Sequence, residues 1–131
     1  MDKAKILVVE DDLFLRDLYI EALQTEGYDV TSAVDGEDAQ EKMKIGGYDL
    51  ILLDIVLPKK YGTMALKELL DQNIHPGKII IFLTNLDNDQ QIKDALKMGD
   101  GYLVKSQITP KDLLNEVKAY LENAKPTPAA N

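Results

Sequence analysis

Three acidic residues, Glu10, Asp11 and Asp12, follow directly on the apolar run Ile6-Leu7-Val8-Val9. Asp54 follows Leu50-Ile51-Leu52-Leu53, Thr84 follows Ile79-Ile80-Ile81-Phe82-Leu83, and Lys105 follows Tyr102-Leu103-Val104. Four apolar runs thus deliver a polar or charged side chain at the same end. As parallel strands of one sheet they would bring those side chains together in a crevice at the strands' carboxyl ends. Ionised carboxylates held close together repel, and the cost rises as the dielectric falls. A hard divalent cation relieves it: Mg²⁺ typically takes one or two carboxylates together with waters and phosphate oxygens. An ammonium also relieves it, and Lys105 is placed to reach in. Asp54 comes straight off a buried run, and Pro58 fixes the loop that follows. A carboxylate beside a metal can attack a phosphoryl group and form an acyl phosphate, with the metal neutralising the developing charge. Thr84 and Lys105 are then expected to hydrogen-bond the remaining phosphoryl oxygens, Lys105 as a point charge. No residue reads as a dedicated base for turnover. The product is therefore expected to persist as a state, and the chain is not expected to be an enzyme beyond handling its own phosphoryl group. Asp12 reads as the N-cap of a helix. His75, the single histidine, lies in the turn-rich Gln72-Asn73-Ile74-His75-Pro76-Gly77 and is assigned no chemistry.

The elements that must position these residues follow from periodicity. Strands are expected near 5–10, 29–33, 49–54, 79–84 and 101–105, and helices near 12–26, 36–45, 62–73, 88–98 and 110–123. Near-continuous apolar character in the first, third and fourth strands indicates burial on both faces. Strand alternating with helix implies right-handed crossovers and a parallel sheet covered on both sides. Asp29-Val30-Thr31-Ser32-Ala33 is the most polar strand and is expected at an edge. Asp35 reads as a helix cap, Asp87 with Gln90 as a capping box, and Thr109-Pro110 as an N-cap followed by proline at the first helical position. Gly27, Gly46-Gly47 and Gly99 fall where helices should stop. Leu113, Leu114, Val117, Tyr120 and Leu121 form a stripe at helical spacing, read as a core face.

The chain of 131 residues suits one domain at 1–124, with 125–131 expected to be a flexible tail or linker stub. It contains no cysteine, which excludes disulfides and thiolate metal sites. No apolar stretch approaches the roughly 20 residues of a membrane span, and the N-terminus has no leader pattern. A cytoplasmic protein with no membrane contact is expected. The formal net charge of -8 argues against direct binding to nucleic acid.

In order along residues 4–123, Ile-Leu-Val-Val-Glu-Asp-Asp, Asp-Ile-Val-Leu-Pro with Gly62, the strand ending on Thr84, and Gly-Tyr-Leu-Val-Lys resemble the receiver domain of two-component response regulators. The resemblance implies an α/β, flavodoxin-like fold: a doubly wound, five-stranded parallel sheet in the order 2-1-3-4-5. It implies that Asp54 is the phosphoacceptor. Mg²⁺ would be held by Asp11, Asp54 and the backbone carbonyl of Val56, with Glu10 acting through water. Thr84 and Tyr102 would be the switch residues, Thr84 and Lys105 would contact the phosphoryl group, and the donor would be a phosphohistidine on a sensor histidine kinase or histidine phosphotransfer protein. The output would pass through the surface of the fourth helix, fifth strand and fifth helix, to an effector protein or a second copy. Lys93, Lys97 and Tyr102 are the exposed residues expected there.

The sequence also departs from that family. Ser106 replaces the proline usual after the lysine, so a trans bond is expected there. Asn85 stands where a small residue is usual, narrowing access to Asp54. Tyr61 stands where the family often has Asp, and Val56 and Leu86 are apolar where a polar group would orient an attacking water. Slow hydrolysis of the phosphorylated form is the expectation. The competing reading is a phosphorylation-independent pseudo-receiver. A dinucleotide-binding domain is disfavoured because Glu-Asp-Asp occupies its phosphate loop, and an aspartyl phosphatase because its paired Asp spacing is missing.

Overall fold

The computed structural model describes residues 3–85, 93, 95 and 97–123. Five strands, β1 (Lys5–Val9), β2 (Asp29–Ala33), β3 (Tyr48–Asp54), β4 (Gly77–Thr84) and β5 (Gly101–Val104), form one sheet in the order β2-β1-β3-β4-β5. Every pairing is parallel. The helices are α1 (Leu13–Thr25), α2 (Gly36–Ile45), α3 (Gly62–Asp71) and a C-terminal helix (Pro110–Asn123). The helix expected at 88–98 falls largely outside the described residues, although Lys93, Ala95, Lys97 and Met98 are helical. The Asp87–Gln90 capping box and Leu86 lie outside them too.

The two-residue period of the strands divides the core into two layers. Ile6, Val8, Leu50, Leu52, Ile79, Ile81, Leu83 and Leu103 pack with Tyr19 and Leu23 of α1 and Leu113 and Val117 of the C-terminal helix. Leu7, Val9, Ile51, Leu53, Ile80 and Phe82 pack with Ala39 and Met43 of α2, Ala65, Leu66 and Leu69 of α3, and Ala95. The central strands are buried on both faces, which explains their unbroken apolar runs, and β2 lies at an edge as its polarity implies.

Local signals set the helix ends. Asp12 Oδ1 accepts from the Leu15 amide at 2.9 Å, and Asp35 Oδ1 from the Asp38 amide at 2.7 Å. Thr109 and Asp112 exchange bonds: the Asp112 amide donates to Thr109 Oγ1 at 3.0 Å and the Thr109 amide to Asp112 Oδ2 at 2.9 Å. Each satisfies amides that the first helical turn leaves without a partner. Gly46 ends α2 with φ of 75°, a left-handed conformation that costs glycine little.

Candidate functional site

Strand register builds the site. Val9 pairs with Leu53, Asp54 with Leu83, and Thr84 with Val104. The next residue on each of β1 and β5 is Glu10 and Lys105, so all four polar residues meet at one end of the sheet. The strand period also puts Glu10, Asp54 and Lys105 on the same side as Val8, Leu52 and Leu103. Thr84 has the opposite parity and shares it with Tyr102, whose register partner is Phe82.

Contacts follow that placement. Lys105 Nζ donates to Asp54 Oδ2 at 2.7 Å and to Glu10 Oε1 and Oε2 at 3.1 and 3.3 Å. Glu10 is fully buried, Asp54 is 2 % exposed and Thr84 is buried. Glu10, Asp11, Asp12, Leu15, Asp54, Ile55, Val56, Thr84, Asn85 and Lys105 line an open cleft of about 460 Å³. Asn85 is thus on the wall of the cleft, as its sequence position implied. The peptide bond between Lys105 and Ser106 is trans, like the others among the described residues.

Burial pushes the Asp54 carboxyl up to about 7. The hydrogen bond from Lys105 opposes this, and the charge of Glu10 adds to it. Burial also works against the Lys105 ammonium, but the hydrogen bond and charge of Asp54, with those of Glu10, outweigh it and hold its pKa above the ordinary lysine value. The three polar groups at the bottom of the cleft therefore keep one another in place.

One glycine is required beside them. Gly62 N donates to Ile55 O at 2.7 Å, bringing α3 back against the end of β3. A Cβ at Gly62 would stand 2.0 Å from the carbonyl oxygen of Asp54. No side chain fits there without moving the backbone that carries Asp54.

The donor set suits a hard divalent cation. Carboxylate oxygens of Glu10, Asp11 and Asp54 lie within 4.8 Å of one another, two from buried residues and one from an exposed residue. Lys105 offsets only one of three formal negative charges, and all the side-chain donors are oxygens. Val56 lines the same cleft, with its side chain 62 % exposed.

A family model, the response regulator receiver domain, matches residues 6–118. The chain belongs to that family. It is 36% identical over 122 residues to a probable transcriptional regulator, ycf27, of Porphyridium aerugineum, a match that covers 92% of this chain and 49% of that protein. It is 32% identical over 121 residues to the chemotaxis protein CheY of Treponema pallidum, covering 90% of this chain and 83% of that one. The crystal structure of a CheY-like receiver domain protein from Methanospirillum hungatei JF-1 superposes with a TM-score of 0.83 at 30% identity, covering 94% of this chain and 97% of that chain. The receiver chain spans about half the length of several transcriptional regulators it matches.

Two neighbours of the site were not legible in the sequence. Arg16 on α1 donates from Nη1 to Glu10 O at 3.0 Å. Tyr19, one turn beyond Leu15, is 1 % exposed; burial and then the charge of Glu10 push its phenol up, so it stays neutral. Helical spacing from Leu15 was the available signal for Tyr19; for Arg16 there was only its place in the first turn after the acidic run. Tyr102 and the helical residues Lys93 and Lys97 are exposed, and the role expected of them is separate from the cleft. No helix among the described residues is long and apolar enough to cross a membrane.

Proposed function

We propose that this receiver domain takes a phosphoryl group onto Asp54 from a phosphohistidine of a sensor histidine kinase or a histidine phosphotransfer protein, within the cytoplasm. The observation that carries the reading is the buried Asp54 carboxylate at the floor of an open cleft, with a second buried carboxylate, an exposed one and an ammonium converging on it. An Asp54 oxygen attacks phosphorus, the phosphorus–nitrogen bond of the donor breaks, and the imidazole leaves with the electron pair and regains a proton from solvent. Asp11 and Asp54, with the Val56 carbonyl and with Glu10 through water, would hold a Mg²⁺ ion, which would supply charge neutralisation for the transfer. Lys105 moves its ammonium from Asp54 to a phosphoryl oxygen, and the Thr84 hydroxyl donates to another. The domain is a phosphoacceptor that acts on itself, with no released product to turn over.

The signal arises from the added dianionic charge. Thr84 moving toward the phosphoryl group vacates space on its own face of the sheet, where Tyr102 lies diagonally across from it. Tyr102 turning inward changes the outer face of β5, the C-terminal helix and the helical residues around Lys93 and Lys97. That face would engage an effector or a second copy.

Intact mass after incubation with Mg²⁺ and acetyl phosphate tests the chemistry. Wild type should gain one phosphoryl group; Asp54→Asn, or wild type in EDTA, should gain none. Labelling of Asp54→Asn to the same extent would refute the assignment. Retention of the phosphorylation-induced change around Tyr102 in Thr84→Ala would refute the switch.

A further inference from the structure

Arg16 is the single arginine in the chain; the other cationic side chains are all lysine. It is half-buried in the first turn of α1, where its amide donates to Asp12 O at 2.9 Å. Helical side chains lean toward the helix N-terminus, and here that direction leads back to the acidic loop. Several carboxylates stand nearby, yet the guanidinium forms no ion pair with any of them among the described residues. It addresses backbone instead: Nη1 lies 3.0 Å from Glu10 O and 3.5 Å from Asp11 O.

Those carbonyls need a partner, since the ladder of β1 ends at Val9 and the first helical acceptor is Asp12. The other contacts of the loop fix different atoms. Glu10 N donates to Ala33 O at 3.2 Å, and Asp12 N to Glu10 Oε2 at 3.1 Å. Among the contacts of the described residues, the guanidinium alone bonds the Glu10–Asp11 peptide, and it adds a longer approach to the Asp11–Asp12 peptide, whose amide Glu10 Oε2 holds. Both contacts come from Nη1, a bond to Glu10 O at 3.0 Å and a longer approach to Asp11 O at 3.5 Å; the guanidinium fork holds its N–H directions in one fixed plane, whereas a lysine ammonium is a point charge on a flexible stem.

We propose that Arg16 is a positioning residue for the divalent-cation site: by fixing the peptide planes at Glu10 and Asp11, it sets the direction in which the Asp11 carboxylate enters the cleft. This rests on the reading that the acidic cluster binds Mg²⁺. The two effects of Arg16 on a cation have opposite signs. Its positive charge repels the ion, so loss of charge alone would tighten binding. Its hold on the loop pre-organises the ligands, so loss of the hold weakens binding, and supporting groups around metal sites typically affect affinity about 10- to 100-fold.

Isothermal titration of the unphosphorylated full chain with MgCl₂ distinguishes them. Arg16→Met is expected to weaken Mg²⁺ binding about tenfold. Arg16→Lys, which keeps the charge but not the fork, should lose affinity by a smaller factor. Lys118→Met, which removes a surface pair with Glu26, should leave affinity unchanged. Melting in EDTA and exchange of the Asp12 amide, which donates to Glu10 Oε2, separate loop order from global stability: Arg16→Lys should keep the wild-type melt while this amide exchanges faster. Mg²⁺ affinity in Arg16→Met equal to or tighter than wild type overturns the proposal, as does an Arg16→Lys variant indistinguishable from wild type in affinity and exchange. Absence of Mg²⁺ binding in wild type itself overturns the underlying reading of the site, and this proposal with it.

Discussion

Asp54→Asn should stabilise the metal-free protein at high pH and do little at low pH. The Asp54 carboxyl sits near 7 in the folded chain, against about 3.9 for an unfolded aspartate. The folded state therefore holds a proton that the unfolded state has already released between about pH 4 and 7. Stability from this group is fully present below about pH 4 and is lost as pH rises to about 7. A gap of about 3 units corresponds to about 4 kcal/mol at 1.36 kcal/mol per unit. Asparagine keeps the shape without the charge and escapes that cost. The pKa of about 7 already includes the opposing hydrogen bond and charge of Lys105. The expected net is about 2–4 kcal/mol in favour of Asp54→Asn at pH 8, shrinking to about 1 kcal/mol or less at pH 4.5. Urea unfolding followed by far-ultraviolet circular dichroism, in EDTA, measures both variants at both pH values. Other titrating groups are common to the two proteins and cancel in the difference. On the proposed reading that the folded wild type binds Mg²⁺, added Mg²⁺ should narrow the gap at pH 8. A gap of equal size at both pH values, or a wild type more stable than Asp54→Asn at pH 8, would refute the reasoning.

Lys105→Met removes the ammonium that bonds both buried carboxylates and should cost about 3 kcal/mol at pH 8 in EDTA, with the loss reduced at pH 5 where Asp54 is protonated; undiminished stability at pH 8 would contradict the buried triad. Gly62→Ala drives a methyl into the Asp54 carbonyl and should destabilise by about 2 kcal/mol and slow uptake of phosphoryl from acetyl phosphate, checked by thermal melting and intact mass. The apolar, exposed Val56 cannot orient a water, so the phosphorylated chain should lose its phosphoryl group slowly and Val56→Asn should speed that loss several-fold; phosphoryl loss that is already rapid in wild type and unchanged by the substitution counts against this.

Much of the frame was legible because its causes are local. Apolar runs of strand length, helical stripes and caps such as Asp12, Asp35 and Thr109 act within a few residues of themselves, so the observed strands begin and end within two residues of their expected places. The convergence of Glu10, Asp54, Thr84 and Lys105 was legible too, because parallel strands must deliver the ends of their runs to one edge. The helix expected at 88–98 is matched at Lys93, Ala95, Lys97 and Met98; its remaining positions lie outside the described residues.

Other features depend on groups far apart in the chain. Lys105 and Glu10 are 95 residues apart, and only packing brings their charged atoms to 3.1 Å. The space denied to a Cβ at Gly62 is set by the Asp54 carbonyl, and the amide of Ile80 at the start of the β4–β5 contact is taken by Asp100 Oδ2 at 2.7 Å, neither of which any local pattern announces. The sequence determined which residues meet. The tertiary structure decided how deeply they are buried and which atoms face which, and those two quantities set the dielectric and distances on which the charge of Asp54 and the reach of Arg16 depend.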